Sequence, residues 1–471
     1  MAELIEVRDP IHGRIPFDAF EQKIVDHPFF QRLRFVAQLS FLMSYVYPGG
    51  IHDRFTHGLG AMHVAGRLFA RLVSSSDILP SRFSPEEIEA LHRRMRLAGL
   101  LHDIGHGPFS HASEALFPPL KDLPMDWSWW NTPPILHSVR GGNMASPPFS
   151  AKGGSASGWQ GGVGGGNDRQ SKHEDYSVLL IQTLASDGVL DPELAQDVAS
   201  LIHGEVKPSA RFDVWEKKAP GLQKVLKSLV SGEVDCDRMD YLLRDSYYCG
   251  VAYGTFDLDW LISSLGIAEK DGHLLLTLSE NGVRAFEDTL LARYHMIDQV
   301  YFHKTKAGFT HYLEEAIRFR EIDLQIPTDP HAYADLRDGQ VIEKLFAAAK
   351  NSKNYWSRHL MRRIPAKRVL RLQTARPEDQ QTLEILKTLC TKEGIRFFTH
   401  AAAKELTMLG ELTPADGMQV AKKTITGVEY IPIFQHSDLL QKYNEKLQFT
   451  DFFVVREDAE RFEKIKKTAG K

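Results

Sequence analysis

The sequence predicts a mainly α-helical body with a smaller C-terminal α+β region. Three observations carry that expectation. Apolar residues recur at helical spacing through most of the first 320 residues. After about residue 365 the texture turns to short β-branched and aromatic runs. Within the helical part, residues 141–166 hold ten of the 35 glycines and break the period.

In chain order, "IEVRDPIHGRIPFD" is punctuated by Pro and Gly and predicts short strands and turns. "FEQKIVDHPFFQRLRFVAQL", "THGLGAMHVAGRLFARLV" and "SPEEIEALHRRMRLAGLLHDIG" predict helices. The last opens on Ser84, with Glu86 and Glu87 in its first turn, and is expected to stop at Gly105. The stretch "GGNMASPPFSAKGGSASGWQGGVGGG" cannot bury enough apolar surface to offset its ordering. Residues of about 120–170 are therefore expected to form a mobile insertion or lid, with "MDWSWW" just ahead of the glycines as a candidate cap. Helices resume at "HEDYSVLLIQTLAS" and continue through "DRMDYLLRDS" and "RAFEDTLLARYHMIDQVYFHKTKAGFTHYLEEAIRF". Beyond them "RVLRLQ", "IRFFTH", "GVEYIPIF" and "FTDFFVVRED" predict strands around the helix "PEDQQTLEILKTLCTKEG". The expected division is a core over 1–330 and a regulatory or oligomerisation region over 331–471.

The composition is that of a globular chain: 43% hydrophobic, 25% charged, over 471 residues. The net charge of -4 argues against bulk electrostatic binding of nucleic acid or membrane. Three cysteines, Cys236, Cys249 and Cys390, include no C-x-x-C pair and suggest neither a zinc ribbon nor a disulfide framework. No apolar run reaches the ~18 residues of a membrane span, and a cytoplasmic location is expected.

Chemistry concentrates in "LLHDIGHGPFSH", where His102, Asp103, His106 and His111 fall within ten residues. With His57 of "RFTHGLG" and Asp237 of "DCDRMDYLLRD", His102 and Asp103 make a nitrogen–oxygen ligand set suited to Fe, Mn, Zn, Ni or Co rather than Ca. Asp235 and Asp240 compete with Asp237 for the place. Adjacent His and Asp cannot share one face of an ideal helix, but a loosening helix end lets both reach inward. Asp237, Tyr241, Arg244 and Asp245 share a face at i, i+4, i+7 and i+8.

These blocks, with "DPIHGRI", "FQRLRFVAQL" and "YPGGIHDRFTHGLG", resemble the HD-domain deoxynucleoside triphosphate triphosphohydrolases, in the branch of the vertebrate SAM-and-HD-domain enzyme. The resemblance runs over roughly residues 5–320, with no SAM domain expected ahead of it. It implies an HD helical bundle that hydrolyses a dNTP to deoxynucleoside and triphosphate, by attack of a metal-activated hydroxide at the α-phosphate. The metal would be a divalent ion, Mg included. His57, His102, Asp103 and Asp237 would hold it. His106, Glu114 and His173 would form the acid/base group, Glu114 standing where the family usually has Asp. His111 would face the α-phosphate and the leaving oxygen. Arg54, Arg238 and Arg293 would grip the triphosphate, with Tyr241 on the same helical face as Asp237. Gln38, Leu39, Asp245 and Tyr301 would hold the 3′-hydroxyl and crowd the 2′ carbon. Asp26, Gln31 and Arg34 would form a guanine-selective activator pocket, and the chain would be a homo-oligomer. The alternatives are an HD phosphohydrolase acting on a monophosphate, a cyclic dinucleotide or a nucleic-acid end, and a nucleotide-binding sensor.

Overall fold

The computed structural model describes residues 5–131, 169–373, 376–404, 418–442 and 447–469. Helices dominate and the strands of the C-terminal region are the smaller part, as the apolar spacing predicts.

The N-terminal turns form an antiparallel hairpin of β1 (Ile5–Asp9) and β2 (Gly13–Phe17), with Ile5 opposite Phe17. The central helix α1 (Arg54–Ser75) starts where the Asp53 carboxylate accepts from the Thr56 amide at 2.8 Å. Its main neighbour, α2 (Pro85–Leu101), starts on a capping box. Ser84 Oγ accepts from the Glu87 amide at 3.3 Å, and Glu87 accepts from the Ser84 amide at 3.0 Å. This helix ends at Leu101, earlier than Gly105, so His102 is its C-cap and Asp103 lies beyond it. Leu59, Met62, Leu97 and Leu101 belong to the large core that these helices share. Around them lie α3 (His173–Ser186), α4 (Pro192–Ile202), α5 (Cys236–Cys249), α6 (Val283–Met296) and α7 (Lys304–Arg318). A π-helical turn, Ile297–Tyr301, follows α6 directly. Two further helices are α8 (Asp338–Ala349) and α9 (Pro377–Lys392).

Two more sheets complete the described chain. The strands β3 (Leu265–Lys270) and β4 (His273–Ser279) form a hairpin. Its turn, Asp271-Gly272, has positive φ at both residues, 53° and 77°, as a two-residue hairpin turn requires. A three-stranded antiparallel sheet has the order β5-β9-β6, where β5 is Lys367–Leu372, β6 is Phe397–Lys404 and β9 is Leu447–Val454. Between β6 and β9 in sequence, β7 (Gln419–Thr424) and β8 (Gly427–Pro432) return to the β3–β4 hairpin. There β7 pairs in parallel with β4, Thr277 opposite Gln419. Tyr333, Val420 and Ile433 are buried in the same core as α1.

The expected insertion at about 120–170 needs correction at its edges. Its glycine-rich centre lies outside the described residues. Residues 120–131 do not form a lid, because Leu120, Leu123, Trp129 and Trp130 are buried in the main core. The Asn131 amide donates to the Glu205 carbonyl and the Lys207 amide to the Trp129 carbonyl, each at 2.8 Å. The aromatic stretch is core rather than a cap over a substrate. Trp130, 2% exposed, should cost about 3–5 kcal/mol when replaced by Ala, read from urea unfolding.

The C-terminal sheet meets α7 at a buried ring pair, His311 stacked on Phe398 with centroids 3.8 Å apart. Burial, helped by the nearby Arg318 and His400, lowers the His311 pKa to about 3. The unfolded chain therefore binds this proton first as pH falls below about 6.5, so stability is lost on acidification. Between pH 7 and pH 5 the wild type should lose about 2 kcal/mol more than His311→Phe in urea melts. Equal losses would mean that the imidazole is not held neutral.

Candidate metal centre and active site

Three helix ends bring the expected ligands together. His57 lies in the first turn of α1, His102 and Asp103 follow the last turn of α2, and Asp237 is in the first turn of α5. The His57 and His102 Nε2 atoms are 3.3 Å apart. Asp237 Oδ1 lies 3.1 Å from the first and 3.4 Å from the second. The Asp103 oxygens lie 3.5 Å from His57 Nε2 and 3.4 Å from His102 Nε2. Ligand atoms bonded to one ion at about 2.0–2.2 Å stand at about this separation from one another.

The other ring nitrogens decide the tautomers. His57 Nδ1 is 2.7 Å from Asp240 Oδ2, and a carboxylate can only accept, so Nδ1 donates. His102 Nδ1 likewise donates to the Gly99 carbonyl at 2.8 Å. Both Nε2 lone pairs therefore point at the shared space, which is the donor set that a divalent cation takes. Of the competing acids, Asp240 faces the rear of His57. Asp235 caps α5, accepting from the Arg238 amide at 2.7 Å.

Sequence reading did not assign what holds Asp240. His12 Nε2 reaches Asp240 Oδ1 at 2.7 Å, and Arg244 binds both its oxygens at 2.8 Å. Arg244 also donates to Asp9 at 2.8 Å. The other Asp9 oxygen accepts from the Ile11 and His12 amides at 2.9 Å. The "DPIHG" block is thus the turn that fastens this network. Two glycines permit the approach. A Cβ on Gly60 would lie 1.8 Å from Asp240 Oδ1, and one on Gly105 would lie 2.2 Å from the His173 carbonyl.

Carboxylates dominate the local field. Burial opposes a charge on His57, but the bonds to Asp237 and Asp240 outweigh it and raise its pKa to about 10. Burial also opposes charge on Asp103, yet Arg54 and the neighbouring imidazoles hold it well below the usual range.

A second cluster, His106, His111, Glu114 and His173, has its ligand-type atoms within 4.8 Å of one another. Glu114 Oε1 receives His173 Nδ1 at 2.5 Å and His111 Nδ1 at 3.0 Å. Burial favours neutral Glu114, but these two bonds win and hold it well below the carboxylate range. His106 stacks on His173 at 3.7 Å. Burial, with Arg54 and His173 nearby, lowers its pKa far below the ordinary value. His111 is different: its side chain is 65% exposed.

The remaining expected residues divide. Arg54 is buried, its guanidinium on Asp103 and its Nε donating to Ser110 Oγ at 2.9 Å. Arg238 donates to Glu233 at 3.3 Å, and Arg293 lies 4.0 Å from the same carboxylate. Asp245 is held between His52 Nε2 and the Tyr301 hydroxyl, each at 2.7 Å. Leu39, Tyr241 and Tyr301 pack on one small apolar cluster. Gln38 Oε1 is buried, with no hydrogen-bond partner among the described residues. Gln31 accepts from Arg34 Nε at 2.8 Å through its Oε1 and donates to the Val25 carbonyl, beside an exposed Asp26. A cavity of about 550 Å³ opens on His102, Asp103, His173, Asp237 and Arg238. Its wall adds Arg169, Lys172 and His203, which carried no sequence signal. Gln38, Leu39, Asp245 and Tyr301 do not line it.

The rear support of His57 should be measurable without turnover. Asp240→Asn should weaken metal binding about 10–100-fold by calorimetric titration. Gly60→Ala should do the same by displacing Asp240. Unchanged affinity in both would detach the network from the centre.

Residues 54–147 match the HD domain and residues 256–394 the HD associated region. An uncharacterized protein of Methanocaldococcus jannaschii is 29% identical over 64% of this chain and 46% of its own length. The human deoxynucleoside triphosphate triphosphohydrolase SAMHD1 is 27% identical over 63% of this chain and 42% of its own. The chain spans about half the length of the curated relatives it matches. The crystal structure of a hypothetical protein from Aquifex aeolicus superposes over 98% of this chain and 100% of its own, with a TM-score of 0.67 and 24% identity. That of a phosphohydrolase from Bacteroides thetaiotaomicron covers 96% and 100%, with a TM-score of 0.63 and 23% identity. These likenesses are of fold. Among the described residues no helix is long and apolar enough to cross a membrane. The chain thus matches the HD domain and its associated region in these two stretches and is related distantly, at family level only, to the SAMHD1-like proteins.

Proposed function

We propose that the chain is a metal-dependent phosphohydrolase that splits deoxynucleoside triphosphates into deoxynucleoside and triphosphate. The observation that carries the hydrolase part is the convergence of two Nε2 lone pairs and the Asp237 carboxylate, with Asp103 alongside, next to the histidine–glutamate cluster. A divalent ion held by His57, His102, Asp103 and Asp237 would lower the pKa of a water from 15.7 towards about 7 and neutralise phosphate charge. His111 is exposed and has its Nδ1 on Glu114, so that as an imidazolium it would hold a second proton on Nε2 for the departing 5′ oxygen. Glu114 and His173 orient that imidazole. Arg54, Arg238 and Arg293 now sit on or near carboxylates, and a triphosphate would compete for them.

The sugar preference rests on Asp245 between His52 and Tyr301, with the unpartnered Gln38 Oε1 nearby to accept from a hydroxyl. Leu39 and Tyr301 close the apolar side, where a 2′-hydroxyl would lose its water. One observation favours a second reading. The arginines are already engaged with acids, and the cavity is not lined by the sugar group, which suits an HD phosphohydrolase of another nucleotide.

Incubation with each dNTP and NTP, with and without metals, followed by chromatography, separates the two. Deoxynucleoside plus triphosphate supports the first reading; orthophosphate, or cleavage of a monophosphate or cyclic dinucleotide, supports the second. The wild type should spare NTPs, and Tyr301→Ala should relax that preference. Equal wild-type rates on dATP and ATP would refute the gate. Titration with GTP and dGTP and a solution mass measurement test the proposed effector at Asp26, Gln31 and Arg34 and the proposed homo-oligomer.

A further inference from the structure

We propose that the segment Tyr333–Asp338, remote in sequence from every proposed metal ligand, is a strap that sets the 102–111 loop against the shelf at 37–40. Asp338 is its positioning residue. The consequence for turnover rests on the hydrolase reading above; the strap itself does not.

Asp338 is 7% exposed at the start of α8 and accepts from two segments at once. Oδ1 takes the Phe109 amide at 2.8 Å, and Oδ2 takes the Ala37 amide at 3.1 Å. Phe109 stands two residues before His111, and Ala37 one residue before Gln38. Both segments hold backbone that residues other than glycine seldom adopt: φ is 60° at Phe109, 54° at Ser110 and 68° at Ser40. Such backbone persists where its surroundings over-determine it. Ser110 closes the joint by donating to the Ala37 carbonyl at 2.7 Å.

The rest of the strap holds the loop from the other side. The Tyr333 hydroxyl donates to the Gly105 carbonyl at 2.7 Å. The Arg32 guanidinium lies 4.7 Å from the centroid of the Tyr333 ring, and its Nη2 donates to the Ile104 and His106 carbonyls at 2.8 Å. Its Nη1 reaches the Leu336 carbonyl at 3.4 Å. Three successive carbonyls and one amide of the loop are thereby fixed from Arg32 and the strap. A carboxylate suits two amides because both oxygens accept. Asn would turn an NH2 towards one of them, donor against donor.

The test compares Asp338→Asn and Tyr333→Phe with the wild type by hydrogen–deuterium exchange, metal content and, on the substrate that the nucleotide assay identifies, kcat and KM. In Asp338→Asn, peptides covering 37–40 and 107–111 should exchange faster together, by about 10–100-fold, with helix α1 and metal content unchanged. In the same variant kcat should fall up to about 100-fold with a smaller change in KM. Tyr333→Phe should raise exchange over 104–111 and leave 37–40 protected. Faster exchange in one segment alone in Asp338→Asn, or unchanged exchange in both variants, overturns the strap. If Asp338→Asn does not fold, Tyr333→Phe decides. If the wild type hydrolyses no nucleotide, the hydrolase reading falls and exchange still decides the strap.

Discussion

Asp240 has no exposed surface, yet it receives bonds from three parts of the chain. His57 reaches it from the central helix, His12 from the N-terminal hairpin turn, and Arg244 from its own helix. Removing one partner of such a buried pair costs about 3–5 kcal/mol, because the other charge is left uncompensated. The centre depends on this carboxylate for its chemistry as well as its shape. With Nδ1 given to Asp240, His57 has a single lone pair left, and it points at His102 and Asp237. A first strand pair that is otherwise small thereby becomes part of the centre.

The charge balance of the centre follows from the same network. Asp9, Asp103, Asp237 and Asp240 face the buried cations Arg54 and Arg244, an excess of two carboxylates. The raised proton affinity of His57 expresses that excess. A divalent ion answers the same deficit of positive charge, so protons and metal compete for the two Nε2 atoms.

Much of this was legible in the sequence, for identifiable reasons. The capping box at Ser84 is local, and local hydrogen bonding writes itself into adjacent residues. The adjacent His102 and Asp103 posed a geometric problem that the structure resolves by ending the helix at Leu101. Asp240 was weighed as a ligand, and its spacing to Arg244 is the i, i+4 pair of a helix. The hairpin at 265–279 had a readable signal in Asp271-Gly272 between apolar runs, which the sequence reading passed over. Trp129 and Trp130 were misplaced because irregular chain has no period to mark its buried side. Asp338 and Tyr333 left no trace, since they act on backbone groups more than two hundred residues away.

That last class of contact bears on how the chain is divided. A boundary near residue 330 follows texture, where helices give way to strands. The bonds follow a different line. Tyr333 and Asp338 grip the loop that carries His102, Asp103, His106 and His111, and β7 extends the hairpin that follows α5. Loops take their shape from the rigid elements that hold them, and a catalytic geometry tolerates little drift. A loop with four chemically active side chains, held internally only by single turn bonds such as His106 to the Asp103 carbonyl and Ser110 to the Gly107 carbonyl, gains from an external frame. Here part of that frame comes from the region after the HD domain, which gives a physical reason for the two to occur as one unit.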